Sequence, residues 1–149
     1  MSVTGGEAAP LVVAIDMGYG HLRAAWPLAE RLGVEVLSCD RAPLAGRDEQ
    51  ERWARSRRGY EWISRGSQLP VLGRPLAALL DALTAIPDLY PYRDLSAPDL
   101  AIRALERMIH AGLGAGLVAH LRATRRPLLT TFYAPALIAD YCGIEDIFC

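Results

Sequence analysis

An α/β fold, with a parallel sheet and helices on both of its faces, is what this sequence predicts. Three observations carry that expectation. The run LVVAID at residues 11–16 is short, rich in β-branched residues and unalternating, the pattern of a strand buried on both faces. A glycine turn, Met17-Gly18-Tyr19-Gly20, follows at once and leads into HLRAAWPLAERLG, whose apolar Leu22, Ala25, Leu28, Ala29 and Leu32 recur at helical spacing. VEVLSCD at 34–40 then reads as a second strand, so strand, turn, helix and strand follow one another in roughly thirty residues, the order of a βαβ unit.

The elements follow in order. Residues 1–10, MSVTGGEAAP, read as a flexible tail and residues 11–149 as one Rossmann-like domain. Gly33 stops the first helix, while Pro27 removes a hydrogen bond inside it and predicts a kink or a late start. Residues 48–65 form a charged helix with Trp53, Ser56, Tyr60 and Ile63 along one side. Pro75 suits a first helical turn, and Leu76, Leu79, Leu80, Leu83 and Ile86 make an apolar stripe. Prolines leave 87–95 irregular, and Ser96 with Asp99 resembles a capping box before Leu100, Ala101, Leu105, Met108 and Ile109. Gly112, Gly114 and Gly116 interrupt next; such a cluster reads first as a helix stop and tight turn, with a backbone cradle as the alternative. A short helix ending near Arg125 leads to a third strand, PLLTTFY at 127–133, and a helix, APALIADYCG, closed by Gly143. EDIFC at 145–149 opens a fourth strand too short to pair well. The expectation is a domain incomplete at its C-terminal edge, the first half of a longer, two-domain protein, with an edge strand as the alternative.

Composition narrows the function classes. The chain has 149 residues, enough for a buried core, and its 52% apolar and 22% charged content excludes disorder. A formal net charge of −1 supplies no field to gather nucleic acid. All 16 basic residues are arginine, so this chain has no Schiff-base lysine and no P-loop lysine. Cys39, Cys142 and Cys149 are scattered without a CxxC pair, which argues against a disulfide framework or a zinc site and suits a reducing cytoplasm. His110 and His120 have no partners at metal-ligand spacing, so no metal is expected. Arg52, Arg55, Arg57 and Arg58, with Trp53 and Trp62, share their helix with Glu49, Glu51 and Glu61, the pattern of a solvated charged face. The start of the chain lacks the basic and apolar regions of a signal peptide, and no apolar run reaches the roughly 18 residues of a membrane span. A cytoplasmic protein is expected. The apolar region from Leu69 to Tyr92 adds peripheral membrane contact as a minor alternative.

The glycine turn carries the chemistry. A turn of this kind after a parallel strand gathers backbone N–H groups and the positive end of a helix, an arrangement that favours anions. Dinucleotide binding needs G-x-G-x-x-G and an acid about twenty residues on. Gly18 and Gly20 fit and Asp40 ends the second strand, but the third glycine position holds Arg23. His21 offers another use. In the first helical turn it sits at the carboxyl end of the first strand, where open α/β sheets bind ligands, and a neutral imidazole there can accept a proton. Asp16 at the strand end is the candidate to orient the ring.

The string DMGYGHLRAA, followed by LAERLG and a second strand, resembles the N-terminal half of a GT-B glycosyltransferase, of the branch that holds the MurG and monogalactosyldiacylglycerol synthase enzymes. PLLTTFYAPALIADYCGIEDIF is similar to a later strand–loop–helix of that half. The resemblance implies an acceptor-binding domain, a second Rossmann-like domain for the nucleotide-sugar donor, inverting transfer and no bound metal; this chain alone would not be active. The acceptor would be a small molecule or a lipid, the latter at the inner membrane surface. By position, His21 is the base or acceptor-orienting residue with Asp16 in support. Gly18 and Gly20 would let the backbone approach the donor phosphates, Tyr19 between them would join the substrate-binding set, and Thr131, Phe132 and Tyr133 would line the cleft. Tyr19 replaces the small residue usual between the glycines. The alternatives are an NAD(P)-dependent oxidoreductase domain with Asp40 on the ribose, and a non-catalytic interaction domain of the same fold.

Overall fold

A computed structural model describes residues 8–17, 19–66, 75, 77–79 and 100–149. In chain order its elements are β1 (Leu11–Ala14), α1 (Tyr19–Leu32), β2 (Val36–Ser38), α2 (Arg47–Gly66), α3 (Leu100–His110), α4 (Ala115–Thr124), β3 (Leu128–Thr130), α5 (Tyr133–Tyr141) and β4 (Ile147–Phe148). The strands form an all-parallel sheet in the order β2-β1-β3-β4, flanked by helices, which is the predicted Rossmann-like class. Most of the leucine stripe, the irregular 87–95 segment and the capping box at Ser96 lie outside the described residues.

β1 is central, with β2 on one side in the register Val12↔Val36 and β3 on the other in the register Leu11↔Leu128. That position explains its unalternating sequence: Leu11, Val12, Val13, Ala14 and Ile15 are all buried. Val12 and Ala14 take Ala25 and Ala29 of α1, and Leu22, Val34, Val36 and Leu129 close around them. Small residues at 25 and 29 let the helix approach the strand. Leu11, Val13 and Ile15 point to the opposite face. α5 packs against β3, β4 and α4.

Several boundaries differ from expectation. Pro27 does not delay α1, which begins at Tyr19 and carries the proline inside it on an exposed face. β2 and β3 are each three residues long because the chain bends at Cys39 and at Thr131, before the predicted strands end. β4 does pair despite its length, Leu128↔Ile147 and Leu129↔Phe148, and forms the sheet edge. Gly33 (φ +66°) and Gly143 (φ +73°) stand where stop signals were expected.

Two compact units share the chain. Residues through Arg52 together with Gly112–Cys149 form the sheet unit; Trp53–Ala111 form the other. In the second unit the polar side of α2 is solvated: Trp62 is exposed and Arg65 pairs with Glu61 at 3.5 Å across one helical turn.

Candidate functional site at the carboxyl ends of the strands

The strand order changes direction at β1. The chain leaves it for β2 on one side and returns to β3 on the other, so the crevice beyond the carboxyl ends of β1 and β3 is the topological switch point where such sheets bind ligands. His21 and Thr131 meet there. His21 Nδ1 donates to the Thr131 carbonyl at 2.8 Å, and Thr131 Oγ1 donates back to the His21 carbonyl at 2.8 Å. A carbonyl oxygen only accepts, so the proton of the neutral ring resides on Nδ1 and the lone pair on Nε2. The second nitrogen is therefore the basic one. Phe132 braces the ring, its centroid 4.5 Å from that of His21, and Tyr133 packs on Phe132 at the same distance.

Local sequence sets this arrangement. The Thr130 hydroxyl is buried and accepts the Phe132 N–H at 3.3 Å, fixing the bend after β3. Phe132 keeps extended backbone ahead of α5, which lets Thr131 present both its carbonyl and its hydroxyl to α1. Thr131, Phe132 and Tyr133 thus come together with His21.

Asp16 does not take the role proposed for it. The ring is oriented by the Thr131 carbonyl, while the Asp16 carboxylate accepts from Arg41 Nη2 at 3.1 Å. Two parallel strands end side by side, Ala14 opposite Ser38, and this brings the loop after β2 to the loop after β1. Asp40, just beyond β2, accepts from Ser38 Oγ at 2.9 Å. Arg23 is exposed, and α1 makes its close contact with β1 through Ala25 and Ala29. A third glycine of the dinucleotide fingerprint would therefore have nothing to do at position 23. Gly18 and the side chain of Tyr19 lie outside the described residues. Gly20 is exposed in the first turn of α1, and a Cβ built there meets nothing within 4 Å among the described residues.

The other glycine cluster is a packing device. A Cβ on Gly114 (φ +86°) would overlap the Ile138 side chain, and one on Gly116 would overlap the Leu44 carbonyl. Glu49 ties the same place together, accepting from Gly46 N–H at 3.2 Å and from Gly116 N–H at 3.4 Å. Sequence reasoning missed Glu49 in this role and missed Arg41 entirely. Cys39 is buried beside these loops, and burial, with Asp40 and Glu49 adding to it, pushes its thiol up to about 12. A thiol held neutral in this way is not a nucleophile.

A cavity of 820 Å³ opens at the amino ends of the strands, away from His21, between Pro10, Leu32, Pro127, Leu129 and Phe148. Among the described residues no helix is long and apolar enough to cross a membrane, and no cluster of three or more His, Cys, Asp or Glu is placed to hold a metal ion. Comparison with protein-family models, with curated proteins and with solved structures finds no match to this chain.

Proposed function

We propose that the sheet unit is the acceptor-binding half of a nucleotide-sugar-dependent, inverting glycosyltransferase, with His21 as its base. One observation supports this most: His21 is fixed at the switch point by reciprocal bonds to Thr131 that leave Nε2 as the proton acceptor. In the proposed reaction Nε2 takes the proton of an acceptor hydroxyl. The hydroxyl oxygen bonds to the anomeric carbon, and the bond from that carbon to the nucleotide diphosphate breaks, the diphosphate leaving with the electron pair. The donor would be carried by a second Rossmann-like domain. A lipid acceptor would bring the protein to the inner membrane surface, and a small-molecule acceptor would not.

The position of Asp40 at the end of β2 favours the second reading, a dinucleotide-binding domain, and the register of Arg23 counts against it. The two separate in one set of measurements on the full gene product. Nucleotide diphosphate release is followed from uridine, guanosine and thymidine diphosphate sugars with a panel of alcohol acceptors, and NADH and NADPH binding is followed by fluorescence. His21→Ala should lower kcat by about 10²–10⁴ with little change in donor KM. Unchanged turnover in that variant would refute the assignment of the base, and tight NAD(P)H binding without sugar transfer would put the second reading first.

A further inference from the structure

Arg41 and Asp16 leave the sheet from neighbouring strands and meet over its carboxyl end, next to the loop that opens α1. Both side chains stay open to solvent, 63% and 41% exposed. The pair uses a single N–H of the guanidinium fork, and among the described residues Arg41 makes no other hydrogen bond or ion pair with its side chain. An exposed pair of this kind contributes little to stability, since water and salt screen both charges. What it does do is hold a guanidinium at the edge of the crevice with most of its donors unspent.

We propose that Arg41 is the anion-recognition residue of this crevice, a specificity determinant that exchanges Asp16 for a phosphoryl group of the ligand. A planar guanidinium fits two phosphoryl oxygens at once, a better match than the single contact it makes with Asp16. The exchange costs little because the pair it breaks is worth little. Asp16 then acts as an internal competitor: its charge occupies Arg41 when the crevice is empty and repels the anion when it is full. With a chain net charge of −1, no general field substitutes for this local cation. The phosphoryl group could belong to a nucleoside diphosphate or to a phosphorylated acceptor. The inference rests on reading the crevice as the ligand site, and is independent of whether His21 transfers a proton.

The test is calorimetric titration of the protein with sodium pyrophosphate, uridine diphosphate and octyl phosphate at low and physiological ionic strength. Arg41→Gln should weaken pyrophosphate binding by about tenfold or more, and Asp16→Asn should tighten it by roughly threefold. Arg31→Gln, in the last turn of α1, should leave it unchanged and controls for net charge. Circular dichroism and thermal melts check that each variant folds. Shifts of opposite sign are the signature, because a merely structural ion pair would move both variants the same way. Tighter uridine diphosphate than octyl phosphate points to the nucleotide, the reverse order to a phosphorylated acceptor. Arg41→Gln binding within twofold of the unaltered chain overturns the proposal, as does an unaltered chain that binds none of the three at millimolar concentration. If these shifts appear while His21→Ala leaves sugar transfer intact, the assignment of His21 fails and that of Arg41 stands.

Discussion

Residues 17–20 and 112–116 are both glycine-rich in sequence, yet Gly20 has surroundings unlike those of Gly114 and Gly116. At Gly114 and Gly116 the protein itself forbids a side chain, through Ile138 in one case and the Leu44 carbonyl in the other. Among the described residues nothing within 4 Å would meet a Cβ at Gly20, which stands exposed at the start of α1. Fold packing explains Gly114 and Gly116 and leaves Gly20 unexplained. A glycine that costs helix stability without relieving a clash is where a function outside the folded chain's own needs is to be sought.

The sharpest way to break this contrast is to add the forbidden methyl groups. Gly114→Ala combines a left-handed backbone with overlap on Ile138 and should cost about 2–4 kcal/mol. Gly116→Ala meets a backbone oxygen that cannot rotate away and should cost about 1–3 kcal/mol. Urea denaturation measures both. A loss below about 0.5 kcal/mol at Gly116, within the range of an ordinary surface change, would mean that the loop at Leu44 yields and the packing reading is wrong.

The same loop offers a pH test of how closed it is. Cys39 begins it, and its thiol is pushed from 9.0 up to about 12 chiefly by burial, with Asp40 and Glu49 adding to the effect. The folded state thus favours the neutral thiol. Its contribution is complete below pH 9, where the unfolded chain also keeps the proton, and is lost as pH rises from 9 toward about 12. The slope in that window reaches about 1.4 kcal/mol per pH unit. Urea midpoints at several alkaline pH values should therefore fall more steeply for the unaltered chain than for Cys39→Ala. Below pH 9 the exposed Cys149 should be the cysteine that thiol reagents modify first, and equal labelling of Cys39 would show that the loop opens.

What was legible in the sequence was local. β1 betrayed its central position by an apolar run without alternation, and α1 and α5 announced their ends with Gly33 and Gly143. His21 was legible as a candidate because it follows the first strand and its glycine turn, whereas Thr131–Tyr133, read as part of the third strand, were candidates only through the resemblance of their segment. The bond between His21 and Thr131 was not legible, since it joins residues 110 apart and depends on β3 lying beside β1. Asp16 was given to His21 on nearness in sequence, but strand order put Arg41, 25 residues on, within reach first. Strand ends were overestimated because the side-chain pattern runs on past the point where the backbone turns out of the sheet. Nor could spacing distinguish one glycine cluster from the other, because the difference lies in what a Cβ would touch.

The smallest expected effect is also the one that bears most on Gly20. Alanine has the higher helix propensity, and with open space around the position Gly20→Ala should raise stability by about 0.5–1 kcal/mol. If the glycine serves only the chain, the variant is a better version of the same protein and its binding of pyrophosphate is unchanged. If it serves a ligand that approaches the backbone, stability rises while pyrophosphate affinity falls, and the two measurements move in opposite directions on one molecule. Fold packing predicts no such split at Gly114 or Gly116, where stability alone should suffer. A Gly20→Ala variant that is less stable than the unaltered chain would erase the contrast between the turns, because it would mean that both are built for packing.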